Sequence, residues 1–178
     1  MDRVFAVGDI HGQIQHIQTL LRYWNPDNQQ LILLGDLIDR GEDSLEVILL
    51  AKKLKETYGA IILTGNHELM FLDWLQHPYH STPFYYPHGG RETIHSFFDE
   101  SPMTFLKTPE EIAQMINTQF QEEIQFLANL PRYYEWNPYV FVHAGVDLNN
   151  QNWKETNEDD FCWIRDEFYQ GVNHTGNI

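Results

Sequence analysis

The chain has 178 residues, which is the length of one domain with a sizeable buried core. Hydrophobic residues make up 42% of it and charged residues 21%, a composition that excludes a wholly disordered or fibrous chain. Its 26 acidic and 11 basic residues leave a formal net charge of −15, which argues against binding to nucleic acid or to an anionic membrane.

The cysteine content and the hydrophobic pattern bear on the cellular compartment. Cys162 is the single cysteine, so no disulfide can form within the chain, as is typical of a reducing compartment. We find no secretion signal, and no apolar stretch approaches the roughly 18 residues of a membrane-spanning helix. The sequence therefore predicts a cytoplasmic protein.

Four short apolar runs, rich in β-branched and aromatic residues, predict buried strands. They cover residues 4–7, 31–34, 60–63 and 139–142. Apolar residues at helical spacing predict helices over 14–24 and 45–58, which Pro26 and Gly59 terminate. The order strand, helix, strand, helix, strand predicts two consecutive βαβ units and a parallel sheet, and hence an α/β fold.

The second half of the chain is less regular. A helix is predicted over 66–76, but residues 77–109 contain five prolines, and we interpret them as a loop or cap inserted into the single domain. Helical spacing returns over 110–130. A final amphipathic stretch over 159–169 precedes a tail rich in glycine and asparagine.

Three of the predicted strands end in the same way, with an apolar run, a glycine and a side chain that offers an oxygen atom. The pairs are Gly8-Asp9, Gly35-Asp36 and Gly65-Asn66. The loops that follow parallel strands converge at one edge of the sheet, so we expect the three oxygens in one crevice. We expect the glycines to permit a sharp turn and close backbone approach there. Taken singly, each Asp or Asn is more typical of a turn or a helix cap than of a metal ligand.

Two histidines join this set of oxygens. His11 follows Asp9 by two residues, and the fourth apolar run leads directly into His143. Carboxylates that face one another repel unless a cation lies between them. Mixed imidazole and oxygen donors suit manganese, iron or zinc better than calcium, and one carboxylate can bridge two ions roughly 3.5–4 Å apart. The sequence thus predicts a divalent-metal site at the C-terminal strand ends.

Four sequence blocks carry a resemblance to a known family. They are Gly8-Asp9-Ile10-His11-Gly12, Gly35-Asp36-Leu37-Ile38-Asp39-Arg40-Gly41, Gly65-Asn66-His67-Glu68 and His143-Ala144-Gly145. In their order and spacing these blocks resemble the calcineurin-like metallophosphoesterases, and within them the phosphoprotein phosphatase branch of bacterial and phage serine/threonine phosphatases. The resemblance spans residues 4–169 and is weak across 77–109. It implies a β-sandwich core built from βαβ units, with helices flanking the sheets.

The resemblance also implies roles for individual residues. The implied metal ligands are Asp9 and His11 for the first ion, Asp36 as the bridge, and Asn66 and His143 for the second ion. His67 is similar in position to the general acid that protonates the leaving alkoxide, and Asp39 to the residue that orients it. Arg40 and Asn66 are implied to contact the phosphate, as is Arg165 in the block Trp163-Ile164-Arg165.

The implied activity is metal-dependent hydrolysis of phosphomonoesters. Two divalent ions, most often manganese with iron or zinc as alternatives, would activate a bridging hydroxide against a phosphorylated protein or a small phosphoester. Two other functions stay open, namely a symmetrical dinucleoside tetraphosphatase and a catalytically impaired module that binds phosphoproteins. The blocks Asp39-Arg40 and His67-Glu68 favour the protein phosphatase over the tetraphosphatase.

One departure from the family pattern concerns the second metal ion. In the family a further strand and a Gly-His-Thr block supply one more histidine ligand, and this chain ends at Ile178 before such a block. We therefore expect the C-terminal strands of the domain to be missing. His174 is a minor candidate for that ligand, because neither a glycine nor an apolar strand precedes it.

Overall fold

A three-stranded parallel sheet forms the N-terminal half of the fold. The computed structural model describes residues 3–98, 106–136 and 138–175. The strands are β1 (Arg3–Val7), β2 (Gln29–Leu33) and β3 (Ile61–Ile62), in the order β1-β2-β3. Arg3 lies opposite Gln29, and Ile32 lies opposite Ile61. The parallel sheet predicted from the alternation of strands and helices is confirmed.

Two helices connect these strands. They are α1 (Ile14–Leu20), which continues as a 3-10 helix over Leu21–Tyr23, and α2 (Ser44–Tyr58). Helix α2 ends at Gly59, whose φ of 68° is the left-handed conformation that a C-terminal glycine adopts readily. Ile17 and Ile48 are buried in the same hydrophobic core as the β2 residue Leu31. The apolar spacing of both helices therefore identified the faces that pack towards the sheet.

The segment after β3 is helical. It contains α3 (Asn66–Gln76), α4 (Pro78–Tyr85), a 3-10 helix over Tyr86–His88, and α5 (Gly90–Ser96). Residues 78–96 are therefore helical and do not form the loop that was one of the two interpretations of 77–109, whereas the inserted cap stays a prediction. Residues 99–105 lie outside the described part of the chain. Pro78 occupies the first turn of α4, where a backbone N–H would have no hydrogen-bond acceptor within the helix. Trp74 and Tyr85 are fully buried and lie in ring contact, so packing between α3 and α4 offsets the effect of Pro83 inside α4.

The predicted helix over 110–130 is two helices. They are α6 (Pro109–Gln119) and α7 (Gln121–Ala128), which meet at Phe120 with φ −124° and ψ 40°. Thr108 caps α6, because its hydroxyl oxygen accepts a hydrogen bond from the Glu111 N–H. Ile116 and Leu127 are buried in the same core as the parallel sheet. The break lets both helices turn an apolar face to this core.

A second, antiparallel sheet follows α7. It consists of β4 (Tyr133–Trp136) and β5 (Tyr139–Val142), with Tyr133 opposite Val142. Strand β5 was predicted, whereas β4 was not, because its four residues Tyr-Tyr-Glu-Trp do not form an apolar run. Tyr133 packs with Trp153 and Phe161 in a separate small core.

The C-terminal part of the described chain is short and helical. A 3-10 helix over Trp153–Glu155 precedes α8 (Asp160–Trp163) and α9 (Asp166–Gln170). The predicted amphipathic stretch over 159–169 is thus interrupted, and Arg165 stands in the gap with φ −136° and ψ −87°. Among the described residues, none of these helices has the length and apolarity to cross a membrane. The α/β class is confirmed.

Candidate active site

The loops that leave β1, β2, β3 and β5 meet at one edge of the parallel sheet. The Asp36 carbonyl oxygen accepts hydrogen bonds of 2.9 Å from the backbone N–H groups of both Ile10 and His11. The side chain of His143 donates from Nδ1 to the Leu34 carbonyl oxygen at 2.9 Å. These bonds bring the ends of β1 and β5 onto the end of β2. The predicted convergence of the strand ends is therefore present.

The Asp36 carboxylate lies between two imidazole rings. Its Oδ2 is 3.6 Å from Nε2 of His11, and its Oδ1 is 3.5 Å from Nε2 of His143. Asp9, whose side chain is 58% exposed, places Oδ2 3.6 Å from the same His11 nitrogen. Asn66 Oδ1 lies 3.1 Å from His143 Nε2. The five side chains predicted as metal ligands thus form one cluster centred on Asp36.

Backbone carbonyl groups set the orientation of both imidazoles. His11 Nδ1 donates to the Ile38 carbonyl oxygen at 2.8 Å, much as His143 Nδ1 does to Leu34. Each ring therefore turns Nε2 towards the carboxylates. His11 Nε2 is buried and has no hydrogen-bond partner among the described residues. Burial lowers the pKa of His11 and outweighs the attraction of Asp36, which favours the neutral form that binds metals.

The donor set fits a pair of divalent ions. Two groups of side chains have ligand atoms within 4.8 Å of one another, and Asp36 belongs to both. The groups are Asp9, Asp36 and His143, and His11, Asp36 and His67. An unpartnered buried imidazole nitrogen beside two carboxylates is the chemistry that a divalent cation satisfies. His174 is in neither group, is exposed, and uses its backbone N–H to bind the Leu148 carbonyl oxygen.

His67 and Asp39 form a buried pair beside this cluster. His67 Nδ1 lies 2.6 Å from Asp39 Oδ2, and Asp39 is fully buried. The other ring nitrogen, Nε2, is 3.2 Å from Arg40 Nη2 and 3.9 Å from Asp36 Oδ2. Burial opposes protonation of His67, but the hydrogen bond to Asp39 and the charges of Asp36 and Asp39 outweigh it, so the pKa of His67 is raised.

The start of α3 delivers Asn66 and His67 to the site. The backbone N–H of His67 donates to Asp36 Oδ1 at 3.1 Å, which joins the helix N-terminus to the central carboxylate. A Cβ atom on Gly65 would overlap the same carboxylate. The glycine at this strand end is therefore required by close approach, as predicted. Gly8 is different, because no described atom lies within 4 Å of the position of its Cβ.

Two arginines flank the cluster. Arg40 is exposed, and its backbone N–H donates to the Gly89 carbonyl oxygen at 3.2 Å. Arg165 is also exposed and donates from Nη1 to the Ile164 carbonyl oxygen at 2.9 Å and from Nη2 to Asn66 Oδ1 at 3.4 Å. The Arg40 guanidinium therefore reaches His67, and the Arg165 guanidinium reaches the cluster at Asn66.

The backbone is strained at this site. The described non-glycine residues with positive φ are His11 (47°), Asp36 (52°), Asp39 (70°) and Arg40 (69°). All four belong to the predicted site. Positive φ is unfavourable for residues with a Cβ atom and is concentrated at functional sites, where the surrounding structure holds it.

Three buried residues at the site have no role in the sequence-based prediction. The carboxylate of Glu68 accepts hydrogen bonds from the N–H groups of Asp36, Leu37 and Gly65. Burial and the neighbouring Asp36 raise the pKa of Glu68 to about 7, although the three N–H groups oppose this. Glu68 is part of a recognised block, but its sequence position only suggests helix capping.

The other two are Tyr85 and Thr93, whose hydroxyl groups both bind Asp39 Oδ1. They are 46 and 54 residues from Asp39 in sequence, within the region predicted to be a loop or cap. No local pattern in the sequence links them to the site.

The fold and the cluster define an α/β protein with side chains for divalent metals at the C-terminal edge of a parallel sheet. The family model of the calcineurin-like phosphoesterases matches residues 2–177, so the chain belongs to that family. This confirms the resemblance of the four sequence blocks. Members of the family use divalent metal ions, in agreement with the donor set.

The relatives with similar sequences carry the names of two different kinds of phosphatase. Serine/threonine-protein phosphatase 2 of Salmonella typhimurium is 29% identical over 184 residues, which cover 98% of this chain and 72% of that protein. The symmetrical bis(5'-nucleosyl)-tetraphosphatase of Pseudomonas syringae pv. syringae is 39% identical over 71 residues, which cover 39% of this chain. That alignment spans 24% of the tetraphosphatase, so the chain matches about a quarter of its length.

A crystallised candidate diadenosine tetraphosphatase has the same fold. It superposes with a TM-score of 0.63 at 23% identity, over 92% of this chain and 59% of the other. At this level of identity the likeness concerns the fold alone.

Proposed function

We propose that this protein hydrolyses phosphomonoesters and that its substrates are proteins phosphorylated on serine or threonine. The observation that carries the proposal is the 2.6 Å hydrogen bond between His67 Nδ1 and Asp39 Oδ2, which leaves His67 Nε2 facing Arg40 and Asp36. A proton donor, a guanidinium group and metal-ligand side chains in one place are the groups that phosphoryl transfer to water requires.

The metal centre would be held by the five predicted side chains. These are Asp9 and His11 on one side, Asn66 and His143 on the other, and Asp36 between them. When bound, two divalent ions supply Lewis-acid chemistry and lower the pKa of a bound water towards neutrality. We propose manganese, and iron or zinc suit the same imidazole and oxygen donors.

The remaining site residues have separate tasks. Arg40 and Arg165 bind the phosphoryl oxygens, since a guanidinium group can bind two oxygens at once. His67 donates the proton on Nε2 to the leaving alkoxide, and Asp39 keeps the ring in place by accepting from Nδ1. Asn66 Oδ1 lies within hydrogen-bond distance of His143 and Arg165, which supports assigning its side chain to both the second metal ion and the phosphate.

We propose protein substrates because the sequence similarity to a serine/threonine-protein phosphatase extends over nearly the whole chain. The Salmonella phosphatase aligns with 98% of this chain, including the residues after β3. A dinucleoside tetraphosphate is the second candidate substrate, because the tetraphosphatase of Pseudomonas syringae has the higher identity over its 71 aligned residues. The free, buried thiol of Cys162 supports a reducing compartment, and we propose the cytoplasm.

The test strips the protein of metal with a chelator, titrates it with manganese, and measures the hydrolysis of a phosphoserine peptide and of diadenosine tetraphosphate. We expect phosphate release from a phosphoserine peptide, and loss of that release in Asp36→Asn. Efficient release of nucleoside diphosphates from diadenosine tetraphosphate, with little action on the peptide, would favour the second candidate. Binding of the phosphopeptide without turnover at any manganese concentration would favour a binding module and overturn the proposal.

A further inference from the structure

The Asp39 carboxylate has more partners than the orientation of His67 requires. Oδ2 faces His67, whereas Oδ1 accepts from the Tyr85 hydroxyl at 2.7 Å and from the Thr93 hydroxyl at 2.6 Å. The backbone N–H of Asp39 donates to Thr93 Oγ1 at 2.8 Å and to Ser44 Oγ at 3.2 Å. Asp39, Thr93, Tyr85 and Ser44 are all fully buried.

These contacts fix the carboxylate plane. Two donors on Oδ1 prevent rotation of the carboxylate, so the lone pairs of Oδ2 stay directed at His67 Nδ1. Thr93 Oγ1 accepts from the N–H of Asp39 and donates to its carboxylate, which ties backbone and side chain together. Because Asp39 has a φ of 70°, this tie also holds a backbone conformation that is otherwise unfavourable.

The Tyr85 hydroxyl is itself held rigidly. The Tyr85 ring packs against Phe71 and Trp74, with ring centroids 6.1 Å and 5.8 Å away. On another side the backbone of Gly90 approaches so closely that a Cβ atom there would overlap the ring. The hydroxyl therefore has little freedom to move away from Asp39.

We propose that Tyr85 and Thr93 are positioning residues that act through Asp39 on proton donation by His67. This inference rests on the proposed function and deepens it. Helices α4 and α5 then belong to the active site, and both lie in the segment predicted as an inserted loop or cap. A purely structural role, in which the hydroxyls only stabilise a buried carboxylate, makes different predictions.

The test compares two small substrates in the manganese-loaded protein. Phenyl phosphate has a poor leaving group that needs a proton, whereas 2,4-dinitrophenyl phosphate has a good leaving group that does not. We expect Tyr85→Phe and Thr93→Val to lower kcat for phenyl phosphate about tenfold more than for the dinitrophenyl ester, which is part of the roughly 10²- to 10⁴-fold contribution of general acid catalysis. Thr93→Ser keeps the hydroxyl and should restore the wild-type ratio.

A matched control is Tyr86→Phe, which removes a hydroxyl from the neighbouring residue. The half-buried Tyr86 ring lies against Trp74, and the ratio of the two kcat values should stay as in the wild type. Equal losses on both substrates in Tyr85→Phe and Thr93→Val, or no loss at all, would overturn the inference. Thr93→Val decides the question by itself if Tyr85→Phe does not fold.

His67→Asn separates this inference from the proposed function. If His67 is the general acid, His67→Asn shows the same selective loss on phenyl phosphate, and adding Tyr85→Phe to it changes the ratio no further. A ratio unaffected by His67→Asn would refute the general acid itself. A ratio changed by His67→Asn but not by the Tyr85 and Thr93 variants would refute only the positioning role.

Discussion

The carboxylate of Glu68 accepts a hydrogen bond of 2.8 Å from the backbone N–H of Asp36. It accepts two more, each 2.7 Å long, from the N–H groups of Leu37 and Gly65. Glu68 therefore joins the loops after β2 and β3 at the point where the Asp36 side chain enters the site. It supports the centre of the metal-ligand cluster through the backbone.

We expect Glu68→Gln to lower the free energy of unfolding by about 2–3 kcal/mol, because its amide nitrogen would face a backbone N–H donor inside the core. Urea unfolding followed by tryptophan fluorescence measures this. The matched control is Glu46→Gln on the exposed face of α2, which should change stability by less than about 0.5 kcal/mol. Equal stabilities for the two variants would show that the Glu68 hydrogen bonds contribute little.

We expect Asp36→Asn to abolish the binding of both divalent ions, because the neutral amide replaces the negative charge between His11 and His143. Equilibrium dialysis against manganese, followed by elemental analysis, gives the number of ions per chain. Glu46→Gln again serves as the control, since it removes an exposed carboxylate outside the cluster. An Asp36→Asn protein that still binds two ions would contradict a bridging role for this residue.

Two glycines with positive φ allow strain and steric overlap to be separated. Gly59 (φ 68°) has no described atom within 4 Å of its Cβ position, so Gly59→Ala should cost only about 1–2 kcal/mol of backbone strain. Gly89 (φ 102°) lies against the backbone of Arg40, where a Cβ atom would overlap the amide nitrogen. Gly89→Ala should therefore destabilise the protein further.

Gly89→Ala should also lower kcat/KM, because it displaces Arg40 from the site. Steady-state kinetics on para-nitrophenyl phosphate, together with thermal unfolding of both alanine variants, provides the comparison. Gly59→Ala is expected to retain wild-type kcat/KM. If both variants lose the same stability and neither loses kcat/KM, the contact between Gly89 and Arg40 does not contribute to activity.

Burial raises the pKa of the Cys162 thiol to about 11, despite the nearby Arg132. The thiolate reacts with disulfide reagents, and its fraction at pH 8 is on the order of 10⁻³ for such a pKa. We expect native protein to react slowly with Ellman's reagent at pH 8, faster as the pH rises, and rapidly after unfolding in guanidinium chloride. Stoichiometric reaction of the native protein within seconds would contradict the buried position of Cys162.

The hydrophobic pattern of the sequence was sufficient to predict the parallel sheet and the helices α1, α2 and α3. Each of these helices has one apolar face, so the spacing of its buried residues appears directly in the sequence. The helices α4 and α5 were missed because prolines and glycines typical of loops interrupt the pattern. Helix α4 is stabilised by the packing of its Tyr85 against Phe71 and Trp74 of α3.

The spatial convergence of the predicted ligands follows from a rule of parallel sheets. Asp9, Asp36 and Asn66 each follow a strand of one sheet, so topology alone brings them to one edge. Arg165 could not be placed by such a rule, because its position depends on the interruption between α8 and α9. Its hydrogen bond to Asn66 joins residues 99 positions apart.

The sequence by itself determined the α/β class, the family and the cluster of carboxylates and imidazoles, because these depend on local motifs and on the order of strands. Tertiary structure decided how that cluster is held. The hydrogen bonds of Glu68 to Asp36 and Leu37, and those of the Tyr85 and Thr93 hydroxyls to Asp39, join residues far apart in the chain. Such contacts form only when helices pack, and packing leaves no local pattern in the sequence.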